Sequence, residues 1–331
     1  MSFFKSKNYT SIAICLCVFA IIMLIALNPK VYMTSTTKGI YTWANVVLPS
    51  LLPFFFFTKL LSMLPDTQKL TKIFDKPISK IYNCPPVASY ICIMSFISGY
   101  PVGAKLTSES YKNNLITANQ ACRIISFCST SGPLFIIGSV GVGLFANKTC
   151  GIVMFVSHII ASLINGIIYR KYKLDKNTIN IRPQAPLSNN ILNDCMYNTI
   201  NSVMLVGGFI AISFVVIDLI NSLQILRPVE YLLSYILSPL GLEHSSQAIT
   251  CGLMEVTRGC VELSTLNLTP YLNSILGCAL ISFGGLSVHL QSLVFLSECK
   301  IKYKFFLLTK ITHSLLSIGV CALLGVFMFI V

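Results

Sequence analysis

Long apolar runs alternate along this chain with short basic ones. Residues 11–27, 46–64, 121–145, 151–169, 199–223, 271–296 and 309–331 are apolar and long enough to cross a bilayer as helices. Two further stretches are apolar but too short to cross. Residues 87–98 run straight into Gly99, Tyr100, Pro101, Val102, Gly103, Ala104 and Lys105, and residues 247–262 are interrupted at Arg258 and Gly259. A half-length helix, a Gly/Pro break and a return is the pattern of a re-entrant hairpin, so one is expected in each half. Residues 66–82 set Lys69, Lys72, Lys76 and Lys80 against Ile73, Phe74 and Ile78, which predicts an amphipathic surface helix; residues 229–242 predict another. The first run resembles a signal peptide, but Asn28, Pro29 and Lys30 offer no small-residue cleavage site. An uncleaved span and a loop to residue 45 are expected.

Two of the spans carry a nick. Residues 121–145 hold Ser129, Thr130, Ser131, Gly132 and Pro133 at their middle, and Pro133 both lacks an N–H and blocks the carbonyl one turn back. Residues 271–296 are nicked in the matching place, at Gly284 and Gly285. Each half therefore reads as span, surface helix, hairpin, nicked span, span.

Charge orients these pieces. With a cytoplasmic N-terminus, 18 Lys and Arg fall in inner segments and 5 in outer ones, a strong positive-inside asymmetry. The first hairpin then enters from the inner side and the second from the outer side. The expectation is an all-α polytopic membrane protein of two inverted-topology repeats, with re-entrant hairpins and broken transmembrane helices. Its parts are an N-terminal helix and loop (1–45), a first repeat (46–170), a cytoplasmic connector (171–198) and a second repeat (199–331).

Composition agrees. Of 331 residues 54% are hydrophobic and 11% charged, against roughly 25% charged in soluble domains. The net charge of +13 belongs to the loops, and no basic-aromatic interleaving makes nucleic acid a partner. The 13 cysteines lie mostly in apolar segments with no CxxC pair, and the four histidines are scattered, so neither metal nor cofactor is expected. A hydrolase built on Ser131 with His158 or His289 is set aside, because neither GxSxG nor HExxH occurs. No enzyme activity is expected.

The breaks are where chemistry is expected instead. Half-helix N-termini offer free N–H groups and a positive dipole end, and glycine lets backbone approach a ligand. The candidate solute-binding residues are Gly99, Pro101, Gly103 and Lys105 in the first hairpin, and Ser129, Thr130, Ser131 and Gly132 at the first nick. In the second half they are Glu255 and Arg258, spaced for a helical ion pair, then Gly284, Gly285 and His289. They describe a pocket for a small anionic or polar solute in a lipid bilayer; a homo-oligomer stays open.

Five blocks carry a family resemblance: LPSLLPFFFFTKLL (48–61), SGYPVGAKL (98–106), FCSTSGPLFIIGSVGVGLF (127–145), GLMEVTRG (252–259) and SFGGLSVHLQ (282–291). They resemble the YlbJ, or SpoVV, family of sporulation integral membrane proteins. That family carries the Gate, or nucleoside-recognition, repeat related by resemblance to concentrative nucleoside transporters. The resemblance runs from about residue 46 onward and makes the two repeats Gate-type. It implies a mother-cell protein of endospore formers in the outer forespore membrane, moving dipicolinic acid toward the forespore. A nucleoside-type transporter and a structural membrane protein of spore assembly are the alternatives.

Overall fold

A computed structural model describes residues 8–64, 67–174 and 190–329. Every regular element among them is helical. Five helices are long and apolar enough to cross a membrane: Pro29–Leu61, Lys148–Tyr169, Ile191–Ser222, Pro270–Leu296 and Tyr303–Phe329. The remaining two expected crossings differ in kind. Residues 11–27 lie in the lipid-exposed helix Asn8–Leu27, and residues 121–145 are two short helices separated by a break.

The loop expected before residue 45 is instead helix, Pro29–Thr42, which continues through a π-helical turn (Trp43–Val47) into Leu48–Met63. Its polar composition is misleading. The hydroxyls of Thr34, Thr36 and Thr37 bond back to the carbonyls of Lys30, Tyr32 and Met33, so each is satisfied within the helix, while Ser35 donates across to the Asp218 carboxylate at 2.5 Å. This helix packs along Ile191–Ser222. A Cβ on Gly39 would stand 2.8 Å from the Ala211 Cα, and one on Gly207 would strike the Trp43 ring at 2.5 Å. The partner helix begins at Ile191, so the C-terminal part of the expected connector is helical too; residues 175–189 lie outside the described region.

Against this pair stand two copies of one arrangement. Hairpin one is Val87–Ser98 and Val102–Lys112, entered from the surface helix Asp75–Tyr82; the chain turns by 102° between Lys72–Tyr82 and Val87–Ser98. Broken helix one is Ala118–Cys128, which opens on a Thr117/Gln120 capping box, followed by the π-helix Leu134–Leu144. Lys148–Tyr169 returns beside it. The second copy has hairpin two (Ser246–Met254 and Val256–Thr265), broken helix two (Pro270–Phe283 and Gly285–Leu296) and Tyr303–Phe329. Arg227–Leu237 is the surface helix before it. The fold is that of two inverted repeats with broken helices.

One correction concerns hairpin two. Its break falls at Glu255, whose backbone is extended at φ −145° and ψ 119°, while Arg258 and Gly259 lie inside the second arm. A Cβ on Gly259 would stand 2.3 Å from the Gly252 Cα, so that glycine packs the two arms together. Each hairpin tip is wedged on the broken helix of its own repeat. Gly99 has φ +75°, and a Cβ there would meet the Gly132 nitrogen at 2.4 Å; Gly285 has φ +66° and faces the Gly252 carbonyl at 2.9 Å. Both positions need glycine for conformation and for space.

Candidate functional site

Broken helices expose backbone carbonyls at membrane depth, and each must find a donor. At the end of Ala118–Cys128 four side-chain donors come from three different elements. Asn165 Nδ2 donates to the Ser126 carbonyl at 2.8 Å, and Ser162 Oγ donates to that of Phe127 at 2.7 Å. Ser95 of hairpin one donates to Cys128. The Ser129 carbonyl would bond the N–H of residue 133 in a helix, but residue 133 is proline. Lys310 Nζ donates to it at 3.0 Å.

The N–H groups are met as well. The Ser131 N–H donates to His158 Nε2 at 2.9 Å, so that nitrogen is the acceptor and the ring proton sits on Nδ1, which meets Ser282 Oγ at 2.7 Å. One buried imidazole thus joins the break of repeat one to that of repeat two. His313 stacks beside it with ring centroids 4.6 Å apart. Tyr100 at the tip of hairpin one accepts from Lys310 Nζ at 2.5 Å and donates to the Ile281 carbonyl at 3.3 Å. Lys310, counted as an inner-loop cation from the sequence, is in fact buried at the meeting point of the two breaks, with 1% of its surface exposed.

Two cavities open onto this knot. The outer one, about 540 Å³, is lined by Lys59, Pro101, Lys105, Glu109, Asn198 and Ser202 among others. The deeper one, about 70 Å³, is walled by Gly99, Tyr100, Ser131, Gly132, Glu255 and Thr257 of the two hairpins and the first break, with Ser287 and Gln291 of broken helix two. Both include Phe55, Ser98, Val206, Phe209 and Gln291, so they are one cleft in two chambers. Lys105 is half-exposed and stands 3.9 Å from Glu109.

The expected site residues divide accordingly. Gly99, Pro101, Lys105, Ser131, Gly132 and Glu255 line the cleft. Gly103, Ser129, Thr130 and Arg258 line neither chamber, nor do Gly284, Gly285 and His289. Gly103 lets the Cys128 carbonyl pass, since a Cβ there would lie 1.7 Å from that oxygen. Thr130 donates to the Ser95 carbonyl at 3.2 Å. His289 Nε2 meets the Phe283 carbonyl at 2.9 Å, which stops the second break internally. Glu255 and Arg258 do not pair through their side chains as expected. The carboxylate accepts from the Arg258 backbone N–H at 2.7 Å and caps the second arm of hairpin two. The guanidinium turns instead to Glu262 (2.8 Å) and Asp218 (3.3 Å), over the Phe214 ring.

Among the described residues no group of three or more His, Cys, Asp or Glu is placed to hold a metal ion. Sequence reasoning missed Ser95, Ser162, Asn165 and Lys310. A signal for them was present: positions 158, 162 and 165, and again 310, 313 and 317, are polar at helical spacing inside apolar spans.

With this geometry in hand, the comparisons with known proteins are specific. No protein-family model matches the chain. It is 27% identical over 310 residues to "Sporulation integral membrane protein YlbJ" of Bacillus subtilis (strain 168), covering 87% of this chain and 76% of YlbJ. The resemblance to YlbJ is borne out. Beside YlbJ stand solved structures of the nucleoside-transporter fold. CNTnw in an inward-facing substrate-bound state has a TM-score of 0.58 at 13% identity, over 97% of this chain and 87% of that one. A CNTnw variant in its intermediate 3 state gives 0.59 at 13% identity, over 97% and 88%. The chain is an integral membrane protein related in sequence to YlbJ and with the fold of CNTnw.

Proposed function

We propose that this chain transports or facilitates the passage of a small carboxylate, dipicolinate, from mother cell toward forespore, acting in the outer forespore membrane during sporulation. The observation that carries this reading is the two-chamber cleft. It begins at Lys59 and Lys105 and ends where both hairpins and the first break meet. The YlbJ likeness supplies the sporulation setting, and the fold likeness supplies the transporter class. Dipicolinate is a flat aromatic ring with two carboxylates. Phe54, Phe55, Phe209 and Tyr100 line the deeper chamber and suit a ring, while Lys105 in the outer chamber suits a carboxylate.

A second reading has its own support. Glu255, Thr257, Ser287 and Gln291 in the deeper chamber are hydrogen-bonding groups fit for a neutral polar solute, and the fold is shared with nucleoside transporters. Uptake of dipicolinate and of uridine into liposomes holding the purified chain separates the two. Dipicolinate uptake that empty liposomes lack supports the first reading, and uridine uptake alone replaces it with the second. A deletion strain scored for dipicolinate content and for coat assembly tests the structural alternative, in which coat assembly fails and dipicolinate import does not.

A further inference from the structure

Lys310 is a lysine that the proposed passage does not use and that reaches into the first break. It is 1% exposed, and among the described residues it has no carboxylate within ion-pair distance. A buried ammonium left in that state is costly unless dipoles surround it. Its surroundings are the Ser129 carbonyl at 3.0 Å, the Tyr100 hydroxyl at 2.5 Å, and the Tyr100 ring face with its centroid 4.6 Å away. The Lys310 stem passes break two, since a Cβ on Gly284 would lie 3.8 Å from its Cε. The ammonium therefore spans from one break to the other. The other titratable groups of this knot are the Tyr100 phenol and the imidazoles of His158, His289 and His313, and none of them is a carboxylate.

An unwound carbonyl at membrane depth, with a hydroxyl and a ring face beside it, is a setting that coordinates a cation in broken-helix transporters. Here the chain's own side chain fills it. We propose that Lys310 is a built-in cation that takes the place of a sodium ion at the first break, so that this protein needs no sodium either to hold its breaks together or to move its solute. The inference deepens the transport reading and rests on it only for solute flux.

The decisive experiment uses the full chain in detergent without solute, with thermal unfolding followed in sodium chloride and in choline chloride. Wild type should unfold at the same temperature in both salts. Lys310→Ala, which frees the Ser129 carbonyl, should unfold earlier in choline and be raised by sodium by about 2 °C or more. Stabilisation of wild type by sodium would overturn the proposal, and so would a Lys310→Ala variant as stable as wild type in choline. Should Lys310→Ala not fold, Lys310→Met fills the space without charge; it should lose stability with no sodium response, and wild-type stability there overturns the proposal too. In liposomes, wild-type dipicolinate uptake should be equal in the two salts, and uptake that requires sodium defeats the inference. Absence of any dipicolinate uptake defeats the transport reading instead, and the unfolding comparison still decides the role of Lys310.

Discussion

At the scale of single residues, function rests on who supplies a hydrogen bond or yields space. Gly103 has no alternative, because the Cys128 carbonyl stands where its Cβ would be, 1.7 Å away, and that carbonyl is fixed by Ser95. Gly103→Ala should cost about 3 kcal/mol or more, the upper end of overpacking, and show as loss of a monodisperse detergent-solubilised protein. Gly208→Ala, with nothing within 4 Å of its Cβ position, should keep wild-type stability. The candidate residues of the cleft make a different prediction. Lys105 is half-exposed in the outer chamber, so its contribution is a screened attraction. Lys105→Gln should lower dipicolinate uptake by about two- to fivefold at low ionic strength and less at high. Lys80→Gln, exposed on the surface helix, should leave uptake unchanged at both. Lys112 is unsuited as that control because it pairs with Glu298 at 2.8 Å; equal losses in Lys105→Gln and Lys80→Gln would reduce Lys105 to a surface charge.

At the scale of elements, the breaks were legible and their partners were not. The run from Ser129 to Pro133 and the pair Gly284–Gly285 announce themselves locally, because proline, glycine and hydroxyl groups change what the backbone can do within a turn. Asn165, Ser162 and Lys310 sit on helices far along the chain, and only packing tells which carbonyl each one meets. The stretch 28–45 misled for the opposite reason, since hydroxyls that read as loop bond back along their own helix. Element contacts also yield a test in pH. The end of hairpin one is tied to the turn after broken helix two, where Lys112 and Ser108 both hydrogen-bond Glu298 and hold its carboxyl below the usual range. A depressed folded value means this stabilisation is complete above the unfolded carboxyl value, about 4.3, and disappears as pH falls through the folded one. Wild type should therefore unfold at a higher temperature than Glu298→Gln near pH 7, with the difference shrinking below about pH 4.5. A difference that stays constant down to pH 3 would mean the charge of Glu298 plays no part. Hairpin two is tied to Ile191–Ser222 through Arg258, Asp218 and Glu262. Arg258→Gln should destabilise by about 1–3 kcal/mol, read by denaturant or heat, because two largely buried carboxylates lose their cation.

At the scale of the whole molecule, the question is which end of the bundle faces the cytoplasm. The fold sorts residues into two ends without reference to charge. At one end Asn83 donates to the Arg170 carbonyl, Arg123 donates to those of Tyr172 and Lys173, and Lys112 meets Glu298. At the other, Cys150 meets the Pro270 carbonyl and Tyr271 that of Ala322. The first end gathers Lys76, Lys80, Lys105, Lys112, Arg170 and Lys171 with Lys300, Lys302 and Lys304, and the second gathers Lys30, Lys38, Lys148 and Arg227. Burial of Lys310 removes one cation from the inner count and leaves the asymmetry intact. Retention of basic loops in the cytoplasm then puts the first end, with the outer chamber lined by Lys59 and Lys105, on the cytoplasmic side. Cysteines placed singly at positions 76, 302, 148 and 227, in a chain cleared of its exposed native cysteines, give the check. With the chain expressed in the plasma membrane of non-sporulating cells, a membrane-impermeant thiol reagent applied outside should label 148 and 227 and spare 76 and 302, with the pattern reversed in inside-out vesicles. Labelling of 76 and 302 from opposite sides would break the bundle as described, because the pairs that hold that end together span both segments.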